Sequence, residues 1–178
     1  MKYSHTVTDL GIENEYPKLV RDKIPQIIKK EGNRDVDTRE LDLQEFELYL
    51  RQKLVEEATE LASAENDLNL AEEVADLSEI LDELERLNGF GVNLSQVHDC
   101  STEDTDPQLT QVIIEKAKET VTAKTREELL AAITDLRLLI AKIIQLKQFS
   151  QTDVVDIQNK KRETRGGFSK RILMLSNI

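Results

Sequence analysis

Between Leu50 and Phe90 apolar residues recur at helical spacing along two successive segments, and the same pattern returns without a gap 59 positions later, between Leu109 and Phe149. Leu50, Glu56, Ala58, Glu60, Leu70, Asp76, Leu77 and Phe90 meet identical residues at Leu109, Glu115, Ala117, Glu119, Leu129, Asp135, Leu136 and Phe149. Helical period alone aligns apolar positions of unrelated amphipathic helices. It does not align Glu56, Glu60, Asp76 and the closing Phe90, so a duplicated helical hairpin is the reading. A hairpin with one apolar face must bury it against another element, and two such hairpins suit a four-helix bundle. The expected fold is therefore all-α, a helical bundle built from two tandem, diverged hairpins (repeats 50–90 and 109–149) within a single domain, 1–178.

Composition agrees with helices. Gly (6), Pro (3) and aromatic residues (4%) are scarce in the 178 residues, which leaves little material for a turn-rich β architecture. A net charge of −11 argues against binding nucleic-acid polymers or an anionic membrane surface, although free nucleotides remain open to an acidic chain if metal bridges the charges. Cys100 is the single cysteine, so neither an internal disulfide nor a thiolate zinc site is expected. Residues Met1–Tyr16 show no signal-peptide pattern, and the most apolar stretch, Leu129–Leu146, is interrupted by Asp135, Arg137 and Lys142. A cytoplasmic protein without a membrane span is the expectation.

Along the chain, a short helix is expected from about Pro25 to Lys30, stopped at Gly32 and Asn33. Long helices are expected over Leu43 to about Ala64 and Leu70 to Leu87, joined by Asn66–Asn69 and closed by Asn88-Gly89. They should pack as an antiparallel hairpin. Gly91–Gln108, with His98-Asp99-Cys100-Ser101 and Pro107, reads as an exposed connector before the pattern restarts.

The chemistry-bearing feature is a set of acids. Glu57 and Glu60 lie three residues apart, which puts them on one helix face, and Glu73 and Asp76 repeat the spacing on the next helix. On antiparallel neighbours these four carboxylates can converge, and like charges brought together call for cations. All-oxygen ligation selects Mg²⁺, with Mn²⁺ as a substitute, and there is no Glu-x-x-His pair of the di-iron bundles. The same spacing equally suits a solvated helix face in an acidic protein. Basic clusters stand out against the acidic background at Lys18, Arg21 and Lys23 and at Lys160–Arg171, which includes Lys161, Arg165 and Lys170. These six are candidates for phosphate contact, or ordinary surface charge.

Lys18-Leu19-Val20-Arg21-Asp22-Lys23-Ile24-Pro25, then Glu56-Glu57-x-x-Glu60, then Glu73-x-x-Asp76, then Arg165-Gly166-Gly167-Phe168 resemble, in this order, the MazG-like all-α nucleotide pyrophosphohydrolases. The nearest subgroup is the short one labelled phosphoribosyl-ATP pyrophosphohydrolase-like. The resemblance covers residues 16–90 and roughly 150–174, and the second hairpin departs from that family's single-hairpin chain. It implies a Mg²⁺-dependent hydrolase that cleaves a nucleoside triphosphate between the α and β phosphates, giving a monophosphate and pyrophosphate, in a house-cleaning role toward non-standard nucleotides. It also implies Glu57, Glu60, Glu73 and Asp76 as metal ligands and Glu56 as the catalytic base for the attacking water.

In the second repeat Glu57 is matched by Lys116 and Glu73 by Ala132, so one metal site is expected, in the first repeat. Lys116 is expected to reach a substrate phosphate or to neutralise Glu115. The family's habit of assembling bundles from identical chains implies a pseudo-dimeric monomer here, or a homodimer. The competing expectation is a non-catalytic nucleotide-sensing or protein-interaction module in which duplication has relaxed catalysis.

Overall fold

The computed structural model describes residues 17–32, 35–92 and 106–177. The connector around His98 and Cys100, the stop at Asn33 and the Met1–Tyr16 segment lie outside these residues. The order of elements is β1 (Lys18–Val20), α1 (Ile24–Gly32), β2 (Val36–Glu40), α2 (Leu43–Ala62), α3 (Asp67–Asn88), α4 (Asp106–Thr122), α5 (Arg126–Leu146), α6 (Gln151–Arg165) and β3 (Ile172–Asn177). The molecule is mostly helical, as expected, and among the described residues no helix is long and apolar enough to cross a membrane.

α2, α3 and α5 each begin where a side chain takes up one of the first free N–H groups. Asp42 and Glu45 form a reciprocal capping box at α2, Thr125 and Glu128 form another at α5, and Asn66 accepts from the Asn69 N–H (3.0 Å) at α3. That last bond makes Asn66 a cap rather than a connector residue. It starts α3 at Asp67, three residues before the expected Leu70.

The two hairpins share more than their apolar residues. The caps Asn66 and Thr125 stand at the 59-residue offset, and so do the closing turns: Gly89 (φ 61°) and Gln148 (φ 55°) are both left-handed. Phe90 N–H donates to the Glu85 carbonyl (2.9 Å) as Phe149 N–H donates to that of Ile144 (3.0 Å). Leu54, Ala58, Val74 and Leu77 are fully buried, and so are their counterparts Ile113, Ala117, Ile133 and Leu136. α2 packs against both α3 and α4, α4 against α5, and α5 closes on α3, so the apolar faces meet in one core.

Two features add to the expected helical bundle. A three-stranded antiparallel sheet, ordered β1-β3-β2, joins the two ends of the described chain, pairing Leu19 with Leu173 and Arg39 with Leu173. A sixth helix, α6, docks on α3. β1 has three residues, too few for a period to register, and its partner lies at the far end of the sequence, where local pattern carries no information.

The sheet brings the Lys18–Pro25 and Arg165–Phe168 motifs together. Asp22 N–H donates to the Gly167 carbonyl (2.8 Å), Lys23 N–H to that of Arg165 (2.9 Å), and the Asp22 carboxylate accepts from the Ser169 hydroxyl (2.7 Å) and the Lys170 N–H (2.8 Å). Gly166 is required at this junction: its φ is +84°, and a Cβ there would lie 2.9 Å from the Asp22 Cβ. A Cβ at Gly167 would meet nothing within 4 Å. Gly166→Ala is therefore expected to cost about 1–3 kcal/mol, whereas Gly167→Ala stays within about 0.5 kcal/mol of the parent. Urea unfolding of the two variants checks the contrast, and equal losses would contradict it.

Candidate metal centre

The helix spacing of α2 puts Lys53, Glu56, Glu57 and Glu60 along one face, and that of α3 sets Glu73, Asp76 and Glu79 facing them. The pairing of the two helices brings Glu57, Glu60 and Glu73 together: one carboxylate oxygen of each lies within 4.8 Å of the others. Glu57 is buried (4% exposed), and Glu73 Oε2 is a buried atom with no hydrogen-bond donor. An acceptor left so in a folded protein loses the stabilisation that water would give it.

Asp76 belongs to the same cluster of charge but is turned to cations. Arg21 Nη2 donates to Asp76 Oδ1 (2.7 Å) and Lys161 Nζ to Asp76 Oδ2 (2.6 Å). Arg21 is itself 7% exposed. It also pairs with Glu79 (2.5 Å), donates to the Gly166 carbonyl (3.2 Å), and lies 5.2 Å from the centre of the Phe168 ring. Arg162 reaches Glu79 from α6 (3.3 Å). Three acids thus converge, and the expected fourth is held beside them by the two motifs that frame the sheet and by α6.

Of the six basic residues expected at phosphates, Lys18, Arg21 and Arg165 line the cavity of about 360 Å³ that opens beside the acids. Of the other three, two are engaged elsewhere and one is exposed. Lys161 holds Asp76, Lys23 Nζ donates to the Glu163 carbonyl (2.5 Å), and Lys170 is exposed beyond the Asp22 turn. Glu56 also lines the cavity, with Lys53 Nζ 3.5 Å from its carboxylate and 2.6 Å from that of Glu57. Sequence reasoning missed Lys53 and Glu79. Lys53 stands one turn before Glu56 and Glu57, and Glu79 continues the three-residue spacing of Glu73 and Asp76; both signals are in the chain.

In the second hairpin Lys116 Nζ lies 3.0 Å from Glu119 and 3.1 Å from Asp135, the positional counterparts of Glu60 and Asp76. The expectation that Lys116 neutralises Glu115 is corrected, because Glu115 instead accepts from the Gln111 side chain (3.2 Å). An ammonium thus already bridges the acids that remain there.

No protein-family model, curated protein or solved structure matches the chain.

The electrostatics follow from crowding. Burial, then the neighbouring charges of Glu57 and Glu56, push the Glu60 carboxyl up to about 7. Burial, then Glu57 and Glu60, push Glu73 up to about 8. Glu57 is raised too, by burial above all and against the pull of Lys53. Burial also works against the Lys53 ammonium, but Glu57 and Glu56 outweigh it and hold its pKa above the usual lysine range.

Folded chains therefore keep protons on Glu60 and Glu73 between the ordinary value of 4.5 and about 7 and about 8, where unfolded chains have released them. Their contribution to stability is full below 4.5 and is lost as pH rises through the folded values. A dication competes with these protons, so its stabilising effect grows over the same window. Mg²⁺ is expected to raise the melting temperature more at about pH 8.5 than at about pH 6, with proton release on Mn²⁺ binding in calorimetry. An effect independent of pH would contradict this assignment.

Proposed function

We propose that the chain is a Mg²⁺-dependent nucleoside triphosphate pyrophosphohydrolase, resembling the MazG-like enzymes, with its metal at Glu57, Glu60 and Glu73. The observation that carries this reading is the convergence of those three carboxylates around the unpartnered, buried Glu73 Oε2. The residues fit a hard dication: the donors are all oxygen, and their crowded charge favours a cation or a proton at the site.

Bound there, Mg²⁺ supplies charge neutralisation and Lewis acidity toward the phosphoryl oxygens and toward water. The chain's own residues do the rest. Lys18 and Arg165 line the cavity and balance the phosphates, while the charge of Arg21 goes to Asp76 and Glu79. Glu56, buried at the cavity wall, accepts a proton from the water that attacks the α-phosphorus. The bond to the bridging oxygen then breaks and pyrophosphate leaves. Arg21 and Lys161 fix Asp76 at the edge of the cluster and balance its charge.

In the same reading the two hairpins descend from one, and the second has given up its site. Lys116 supplies the positive charge there, and Ala132 stands where Glu73 stands in the first. A second reading, a non-catalytic nucleotide-sensing or protein-interaction module, is favoured by Lys53, Arg21 and Lys161, which give Glu57 and Asp76 cationic partners without any metal.

Release of pyrophosphate from a panel of nucleoside triphosphates with Mg²⁺ decides between them. The enzyme reading expects turnover that falls by at least about a hundredfold in Glu57→Gln and Glu73→Gln, at or beyond the loss of an outer-shell partner. Nucleotide binding without pyrophosphate release from any member of the panel would favour the module.

A further inference from the structure

The cavity beside the acids has a mixed lining. Lys53, Glu56, Glu57, Glu60 and Asp76, on α2 and α3, are its charged part. Val20 of β1, Ile24 and Ile28 of α1, Ile80 of α3 and Met174 of β3 add hydrocarbon and a thioether. Lys18 and Arg165 stand at the same opening.

α1 is the unusual contributor. Val20, Ile80 and Met174 are buried in the fold regardless of any occupant, whereas no residue of α1 is buried. Ile24 and Ile28 are four residues apart and so share one face, while Gln26, Lys29 and Lys30 are exposed. Among the helices and strands, α1 makes its main contacts with β2 alone. Its entry is nonetheless fixed, through Asp22 and Lys23, to the Gly166 junction. Among the described residues no other element buries the apolar pair of this helix, which is anchored at one end and lines the cavity, so an occupant of the cavity would cover it.

We propose that Ile24 and Ile28 grip the uncharged ring of the nucleotide, whose phosphates run toward the acids and their metal. The assignment rests on the nucleotide reading above. Charge complementarity sets the direction, because phosphate oxygens buried against hydrocarbon lose their hydration without a partner. An aromatic ring gains by leaving water for the same wall. A volume of about 360 Å³ falls within the roughly 300–1,000 Å³ of small-molecule sites. Ile27, on the same helix and equally half-buried, does not line the cavity, and so supplies an internal control.

The experiment is calorimetric titration of the full chain with Mn²⁺ alone, then, with Mn²⁺ present, with α,β-methylene-ATP and with inorganic triphosphate, which has no ring. Ile28→Asp is expected to weaken the analogue at least tenfold while leaving Mn²⁺ and inorganic triphosphate within twofold of the parent. Ile27→Asp is expected to leave all three unchanged. Ile28 is half-exposed on a surface helix, and circular dichroism confirms folding before titration. Undiminished binding of the analogue by Ile28→Asp, or equal loss of triphosphate and analogue, overturns the ring site while leaving the nucleotide reading intact. Failure of the parent to bind the analogue with Mn²⁺ present overturns both.

Discussion

Carboxylates of like charge, drawn together where little water reaches them, are the constraint around which this structure is organised. Glu56, Glu57, Glu60, Glu73 and Asp76 come from two helices that pack through Leu54, Ala58, Val74 and Leu77, so the apolar seam that stabilises the hairpin also forces the acids into proximity. Burial raises the free energy of each charge and repulsion raises it further. The chain answers with protons on Glu60 and Glu73, with Lys53 against Glu57, and with Arg21 and Lys161 against Asp76. Glu73 Oε2 is the oxygen left over.

The sheet and α6 make sense as the apparatus that delivers those cations. Arg21 follows β1 directly and reaches Asp76 and Glu79 because β1 pairs with β3 and the turn after it is tied to Arg165 and Gly167. Lys161 and Arg162 arrive on α6. Burying Arg21 among two acids, a carbonyl and the Phe168 ring couples the two ends of the described chain to α3 through one side chain. Loss of one partner of such a buried pair leaves the others uncompensated, at a cost of about 3–5 kcal/mol. The same turn carries the start of α1, whose Ile24 N–H donates to the Arg21 carbonyl, so the helix that brings Ile24 and Ile28 to the cavity begins on the residue that holds Asp76.

The helices were legible because their signals are local: Asp42 and Glu45, Thr125 and Glu128, and the apolar spacings each lie within a few residues. The convergence of Glu57, Glu60 and Glu73 was legible for the same reason, because a short connector between α2 and α3 favours antiparallel neighbours. The three strands, α6 and the withdrawal of Asp76 toward Arg21 and Lys161 were not. They depend on partners 55 and more positions away, such as Arg21 with Asp76, and no period or spacing records that separation. Lys53 and Glu79 lie within reach of the helix rule, one turn before Glu56 and Glu57 and three residues after Asp76.

The most direct test of a cation centre at the α2–α3 seam is anomalous diffraction at the manganese edge from crystals grown with Mn²⁺. The account predicts a peak between Glu57, Glu60 and Glu73, within roughly 2.0–2.6 Å of their oxygens, the range over which oxygen ligands hold hard dications. It predicts none between Glu119 and Asp135, where Lys116 already stands. Density with no anomalous signal between the three acids of the first hairpin, or a peak only in the second, would contradict it.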